Sequence, residues 1–216
     1  RSSDLIVGPR DHIDGGKYPW AWMTAEYNDA NWLKPQSLFP GSPKGVGTDI
    51  THALVPRTIP AMELTPMASA KIRKVDSQSK EMALNDYTIP PHSKTTILLD
   101  QGTLLTAYPE LSVSGGKKAS IKIGYSETLY NEDSKKENRD LINDMYFKGN
   151  YDIFKPDGNA NRKFSTLWFR TFRYIQLEIE TQDDELTIHS LDPIFTAYPF
   201  EEKAWFKSDN DLLSDI

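Results

Sequence analysis

Short runs of alternating apolar and polar residues constrain the fold of this chain more than any other feature of its sequence. Residues 119–126 and 173–180 both show this period of two. The apolar side chains that share one face are Ile121, Ile123 and Tyr125 in the first run and Ile175, Leu177 and Ile179 in the second. Successive side chains of a strand point to opposite faces, so each run predicts a β-strand with one buried face.

Similar runs recur along the chain and are separated by turn-forming residues. A proline pair, a glycine pair and an Asp-Gly step lie at residues 90–91, 115–116 and 157–158. The further predicted strands are residues 20–26, 71–75, 95–99, 111–114, 145–148, 151–154, 186–189, 194–198 and 204–207. Many short strands without intervening helices predict an all-β protein, either an antiparallel β-sandwich or a jelly roll.

Composition limits the partners and the chemistry of the chain. The net charge is −6 and basic residues are scattered, so neither nucleic acid nor an anionic membrane is an expected partner. The sequence has no cysteine, which excludes disulfides, zinc-thiolate sites and a thiol nucleophile. The four histidines lack metal-ligand spacing, and no serine lies in a nucleophile-elbow pattern, so structural or surface roles are predicted for them.

The sequence suggests three consecutive parts. Residues 1–62 contain N-terminal strands and an irregular connection rich in proline and glycine, and residues 63–207 contain the predicted sandwich. In residues 208–216, Ser208 and Asp211 have the spacing of a capping box before apolar residues at helical spacing. So short a helix is marginal in water by itself. We therefore expect the truncated first helix of a following domain, and both ends of the chain to be cut from something longer.

Four segments of the chain together resemble one known family. Residues 123–130 read Ile-Gly-Tyr-Ser-Glu-Thr-Leu-Tyr, residues 144–149 read Asp-Met-Tyr-Phe-Lys-Gly, and residues 167–177 read Leu-Trp-Phe-Arg-Thr-Phe-Arg-Tyr-Ile-Gln-Leu. Residues 208–213, Ser-Asp-Asn-Asp-Leu-Leu, follow them. In this order the segments resemble the bacterial α-L-rhamnosidases, in a variant common among Bacteroidetes-type enzymes. The resemblance extends over nearly the whole chain.

The resemblance implies a position within a larger glycoside hydrolase. It implies that this chain is the N-terminal β-sandwich region before a catalytic (α/α)6 helical barrel, and that the parent enzyme removes terminal α-L-rhamnosides from glycans with inversion. The family's general acid and general base lie in the barrel, so they would follow Ile216 and no catalytic residue is expected here. The barrel and a rhamnose-containing glycan are the expected partners, in the bacterial periplasm or outside the cell.

Two other functions stay open beside that of an accessory sandwich. A carbohydrate-binding module would stack aromatic rings on sugar faces, for which Trp20, Trp22 and Trp168 are the candidates, although tryptophans in strands also serve core packing. A complete small glycosidase would need two facing carboxylates in a groove. The acidic residues of this chain fall mostly in turns and on solvated strand faces, which disfavours that third function.

A charged loop at residues 131–144 contains weak candidates for calcium binding. Its carboxylates Glu137, Asp140 and Asp144 offer the oxygen ligands that calcium takes, and some sandwich modules of rhamnosidases use calcium in sugar binding. The spacing matches no strict calcium loop, and a solvated loop is the alternative. The sequence therefore predicts no obligatory cofactor.

Two structural groups are predicted from strand parity and from the apolar C-terminus. Counting by twos places Glu127 with Tyr125, and Arg173 with Ile175, on inward faces, so these two charges are expected to form a buried ion pair. An exposed apolar patch of Trp205, Phe206 and Leu212 is expected to face the helical barrel.

Overall fold

The computed structural model describes residues 9–38, 56–209 and 213, and these residues form an antiparallel-rich β-structure. No helix among them is both long and apolar enough to cross a bilayer. The strands of this described part are β1 His12–Asp14, β2 Thr65–Pro66, β3 Lys71–Val75, β4 Gln78–Ala83, β5 Tyr87–Ile89, β6 Lys94–Gly115, β7 Ser120–Ser126, β8 Asn150–Lys155, β9 Arg162–Ser165, β10 Arg170–Glu180 and β11 Leu186–Phe195.

Hydrogen bonding connects these strands in the order β1-β8-β7-β10-β6-β11-β2. Branches from this path pair β3 with β4 and β6, β5 with β11, and β9 with β6. The pair β1–β8 is parallel, and the other recorded pairs are antiparallel. Through β1 the N-terminal segment joins the same sheet as the rest of the described chain.

The long strand β6 belongs to two layers. Its first part, residues 94–100, lies between β3 and β10, whereas residues 107–115 pair with β11 and β9. Between them the register against β10 shifts, and Gly102 adopts a positive φ of 84°, which glycine tolerates without steric cost. The sheet therefore folds over itself at this point and becomes a sandwich.

Both layers contribute side chains to a single hydrophobic core. One layer supplies Ile72, Ile97, Leu99, Ile121, Ile123, Phe154, Ile175 and Leu177, and the other supplies Ile89, Leu111, Val113, Phe164, Leu186, Ile188 and Leu191. These side chains are almost inaccessible to water. Fully burying one such side chain contributes about 1.5–3 kcal/mol before entropy is counted, so this core is the main source of stability.

A smaller apolar cluster lies on the outer face of the first layer. Leu98 of β6 and Tyr174 of β10 pack there with Leu129, and with Met145 and Phe147 of the following segment. Residues 127–149 thus lie over part of the sheet instead of extending into solvent. Gly124 permits this close contact, because a Cβ atom there would lie 2.7 Å from Cε1 of Phe147.

The predicted all-β antiparallel sandwich is confirmed, and the jelly-roll topology stays a prediction. The strands predicted at residues 71–75, 119–126 and 173–180 are present. The predictions at 20–26, 145–148 and 204–207 are wrong: residues 20–26 form turns, Tyr146 makes an isolated bridge, and residues 204–207 have no regular structure. The predicted C-terminal helix, with Asp211 and Leu212, lies almost wholly outside the described residues.

Candidate functional site

A buried ion cluster fixes the N-terminal segment to the sandwich. Arg170 donates through Nε and Nη2 to the two carboxylate oxygens of Asp152, at 2.9 and 2.8 Å. Its Nη2 also donates to Asp11 at 3.0 Å and to the Pro9 carbonyl at 3.0 Å, and its Nη1 donates to the Trp168 carbonyl at 3.0 Å. The side chains of Arg170 and Asp152 are only 5% and 1% exposed. The charges are therefore paired inside the protein, where a bidentate contact is strongest.

Tyr125 lies against this cluster. Its ring centroid is 5.8 Å from the Arg170 guanidinium carbon. Burial, with the nearby Asp152 carboxylate, raises the pKa of the Tyr125 phenol well above its ordinary value. The phenol therefore stays protonated at any physiological pH, and it cannot serve as a base.

A second ion cluster joins β3, β6 and β10. Arg173 donates to both oxygens of Asp100, from Nε at 2.9 Å and from Nη2 at 3.3 Å, and Arg73 donates to the same carboxylate at 2.9 Å. Arg173 also contacts Asp140 at 2.7 Å, and the Gly102 amide donates to Asp100 at 2.8 Å. Hydrogen bonding to Asp100 raises the pKa of Arg173, so its positive charge is permanent.

The predicted ion pair between Glu127 and Arg173 is wrong. Strand β7 ends at Ser126, whose hydroxyl donates to the Thr128 carbonyl at 2.6 Å, so parity no longer places Glu127 inside. Glu127 is exposed and contacts Lys136 at 3.4 Å. Arg173 lies at the register shift of β10, between Phe172 and Tyr174, and this irregularity turns its side chain toward Asp100.

Replacing Glu127 by glutamine should change the free energy of unfolding by less than about 1 kcal/mol, because an exposed pair gains little in water. Urea denaturation followed by circular dichroism measures this. A decrease in the free energy of unfolding above about 3 kcal/mol would instead indicate that Glu127 forms a buried ion pair. The matched control is Lys136→Gln, which removes the other partner of the same contact.

The three tryptophans considered for sugar stacking lie in different surroundings. Trp20 is half-buried against the core, its Nε1 donates to the Gly15 carbonyl at 2.8 Å, and the Arg162 guanidinium covers its ring at 4.3 Å. Trp22 is more exposed and donates to the Tyr18 hydroxyl at 2.9 Å. Trp20 is therefore part of the core packing. The ring of Trp22 is exposed and can still contact a ligand.

Trp168 lies on a different element, immediately before β10. Half of its surface is exposed, and it stacks on Phe169 with 5.4 Å between ring centroids. Phe169 in turn meets Tyr108 edge to face. The backbone of Trp168 is held by the buried Arg170, which donates to its carbonyl.

The outer face of the first layer contains two adjoining polar cavities that both include Thr96. One, of about 300 Å³, is lined by Lys74, Thr96, Leu98, Tyr146, Phe147 and Gln176, among others. The other, of about 350 Å³, is lined by Thr96, Ser120, Lys122, Glu178 and Glu180, among others. We call these two cavities together the outer groove. It combines aromatic rings with several polar side chains, which are the kinds of group that line small-molecule sites.

The polar side chains of the outer groove bind one another. Lys122 contacts both carboxylate oxygens of Glu178, at 3.0 and 3.1 Å, and Gln176 donates to Glu178 at 3.1 Å. Lys122 also lies 4.8 Å from the ring centroid of Tyr151. Sequence reasoning placed these residues on a solvated strand face but did not identify a groove, because the side chains of residues 129–147 that line its first cavity come from a segment outside the strands.

The calcium candidates make separate contacts. Asp140 contacts Arg173, and Glu137 accepts from Asn131 at 2.7 Å. Asp144 lies at a turn with a positive φ of 54°. Within the described ranges, no three His, Asp or Glu side chains come together as a metal-binding group.

The segment that follows β11 exposes several aromatic side chains. Trp205 is 88% exposed and Phe206 is 71% exposed. Phe200 and Tyr198 of the same segment are also exposed, and their rings lie 4.9 Å apart. Leu212, predicted to belong to the same patch, lies outside the described residues. We call residues 198–206 the C-terminal aromatic segment.

Rhamnosidases are among the solved structures that are similar to this chain. One is a rhamnosidase from Klebsiella oxytoca with rhamnose bound, at 10% identity and a TM-score of 0.46, covering 63% of this chain and 30% of that protein. Another is a GH78 family rhamnosidase of Bacillus sp. GL1, at 12% identity and a TM-score of 0.42, covering 73% of this chain and 13% of that protein. The chain thus spans less than a third of the length of either.

One family model matches part of this sequence. No curated protein matches the chain. Residues 91–195, which run from the turn before β6 to the last residue of β11, match the family model of the bacterial alpha-L-rhamnosidase concanavalin-like domain. This range includes the long strand β6, both residues that anchor the ion clusters on β10, and most of the outer groove. Residues 91–195 are therefore similar in sequence to the concanavalin-like domain of the bacterial alpha-L-rhamnosidases.

Proposed function

We propose that the chain is an accessory sandwich that supports the helical catalytic domain of an alpha-L-rhamnosidase and does not itself hydrolyse rhamnosides, in the periplasm or outside the cell. The observation that carries this proposal is the C-terminal aromatic segment, which follows the last strand and exposes Trp205 and Phe206 to solvent. Large apolar groups exposed side by side are characteristic of surfaces that contact another protein or domain. A following domain would bury these rings.

The surroundings of the buried carboxylates support the same proposal. Inverting glycosidases need a protonated general acid and an ionised general base about 6.5–9.5 Å apart. Asp100 and Asp152 are the buried carboxylates of the described chain, and arginines bind both of them in bidentate contacts. Both oxygens of each carboxylate already accept hydrogen bonds from a guanidinium, so neither side chain is free to contact a glycosidic oxygen or a water molecule.

The test combines binding in trans with a turnover assay. The helical catalytic domain of the parent enzyme, expressed separately, should bind this chain in analytical ultracentrifugation. The double variant Trp205→Ser, Phe206→Ser should weaken binding at least about tenfold, because aromatic anchors dominate interface energies. Leu167→Ser, which removes an exposed apolar side chain before β10, is the matched control. Unchanged binding by the double variant, or turnover of aryl α-L-rhamnosides by this chain alone, would contradict the proposal.

A second candidate function is direct binding of a rhamnose-containing glycan. It is favoured by the outer groove, where Tyr146 and Phe147 lie beside Gln176. Isothermal titration calorimetry with L-rhamnose, with and without calcium, tests it. Saturable binding that Gln176→Ala abolishes and Gln101→Ala leaves intact would favour a binding module over a supporting sandwich. Heat that does not saturate, or that both variants retain, would count against it.

A further inference from the structure

Three side chains on the outer face of the second layer form a continuous hydrogen-bonded series. The Ser114 hydroxyl lies 2.7 Å from Nε2 of His189, and Nδ1 of the same imidazole lies 2.5 Å from a carboxylate oxygen of Asp86. Ser114 points outward because its neighbour Val113 is buried in the core. These residues come from three separate parts of the chain, so no local sequence motif predicts that they meet.

The partners of His189 determine its tautomer. A carboxylate only accepts hydrogen bonds, so Nδ1 carries the proton that is donated to Asp86. In the neutral imidazole, the lone pair of Nε2 is then free to accept from the Ser114 hydroxyl. The three side chains therefore have the arrangement that activates a serine: Ser114 is the nucleophile, His189 is the base, and Asp86 orients the base.

Backbone irregularities hold these side chains in place. His189 lies where the register between β11 and β6 shifts, between Ile188 and Ser190. Asp86 precedes β5 with a positive φ of 47°, and its amide donates to the His189 carbonyl at 3.4 Å. Asp86 thus contacts His189 through both its backbone amide and its side chain.

A backbone donor is directed at the serine oxygen. The Asn161 amide, in the turn before β9, donates to the Ser114 hydroxyl oxygen at 2.9 Å. This hydrogen bond occupies one lone pair of the Ser114 oxygen and fixes the position of the hydroxyl next to Nε2 of His189. The site is open, since the His189 and Asp86 side chains are 31% and 66% exposed, so a small ester can reach it from solvent.

We infer that Ser114 is the nucleophile of an acyl-transfer site for small acyl esters, with His189 as its general base and Asp86 as a positioning residue. The Ser114 oxygen attacks the ester carbonyl while Nε2 of His189 takes the hydroxyl proton. The C–O bond to the alcohol breaks, and the alcohol leaves with that proton. Water then attacks the acyl-serine, again losing its proton to His189, and releases the carboxylic acid and the free serine.

The inference is tested with a fluorophosphonate probe and with p-nitrophenyl acetate. The wild-type chain should be labelled at Ser114, as located by peptide mass spectrometry, and should hydrolyse the ester. Ser114→Ala and His189→Gln should each lower the hydrolysis rate by at least about 100-fold, the lower end of the contribution of a positioned general base. Ser112→Ala changes a serine on the same strand and the same face, and should leave both readouts unchanged.

The variant Asp86→Asn distinguishes a role of Asp86 in positioning His189 from a purely structural role in stability. The amide keeps the size of the side chain and a hydrogen-bonding atom, but it does not favour the tautomer with a proton on Nδ1. We expect an unchanged melting temperature and a loss of hydrolysis of about tenfold or more. Labelling of the wild-type chain that is no faster than that of Ser114→Ala, or label found at another residue, would overturn the inference.

Discussion

Replacing Arg170 by alanine should lower the free energy of unfolding by about 3–5 kcal/mol, the cost of leaving a buried charge without its partner. The side chain of Asp152, only 1% exposed, would lose both of its guanidinium hydrogen bonds. Asp11 and the Pro9 carbonyl would lose a donor at the same time. The N-terminal segment should therefore loosen together with the sandwich.

Urea denaturation at neutral pH measures this effect, and Lys163→Ala supplies the control. Lys163 contacts Glu110 at 2.6 Å, but its side chain is 64% exposed, so its removal should cost less than about 1 kcal/mol. The double variant Arg170→Met, Asp152→Leu should recover much of the lost stability, because an apolar pair carries no desolvation cost. A cost below about 1 kcal/mol for Arg170→Ala would show that the cluster contributes little.

Replacing Asp100 by alanine should cost about 3 kcal/mol, the lower end of the range for a broken buried ion pair. Arg73 and Arg173 both donate to this carboxylate, and the Gly102 amide would lose its acceptor as well. The cost stays at the lower end because Arg173 keeps its contact with Asp140.

A double-mutant cycle isolates the contact between Asp100 and Arg173. If the two groups interact as the structure has them, Asp100→Ala and Arg173→Ala together should cost less than the sum of the two single variants by about 1–3 kcal/mol. The equivalent cycle with Glu127→Gln and Arg173→Ala should be additive, because these side chains do not meet. Coupling in the second cycle and additivity in the first would contradict the described ion pairs.

The sequence allowed the sandwich to be predicted because alternation is a local signal. The periods in β7 and β10 identify the buried face of each strand correctly, and the core is formed from the apolar residues of those runs. The same signal divided β6 into two predicted strands at 95–99 and 111–114, because Gly102 and Pro109 interrupt the pattern. The structure has one continuous strand there.

The ion pairs and the candidate sites depend on contacts that alternation does not encode. The register shift at Arg173 reverses the face that counting by twos assigns, and the end of β7 at Ser126 invalidates the count for Glu127. Arg170 meets Asp11 across 159 residues of sequence. Ser114 meets His189 across 75 residues. Pairings at such separations follow from topology, and no pattern within a single strand predicts them.

The continuity of β6 through both layers has a consequence for how the domain opens. Because one strand supplies pairing partners to each layer, separating the layers requires either a break near Gly102 or the loss of hydrogen bonds on both sides of it. Local openings that leave half a sandwich intact are therefore costly. The two layers should protect their backbone amides from hydrogen exchange as a single cooperative unit, with protection lost simultaneously from β3 to β11.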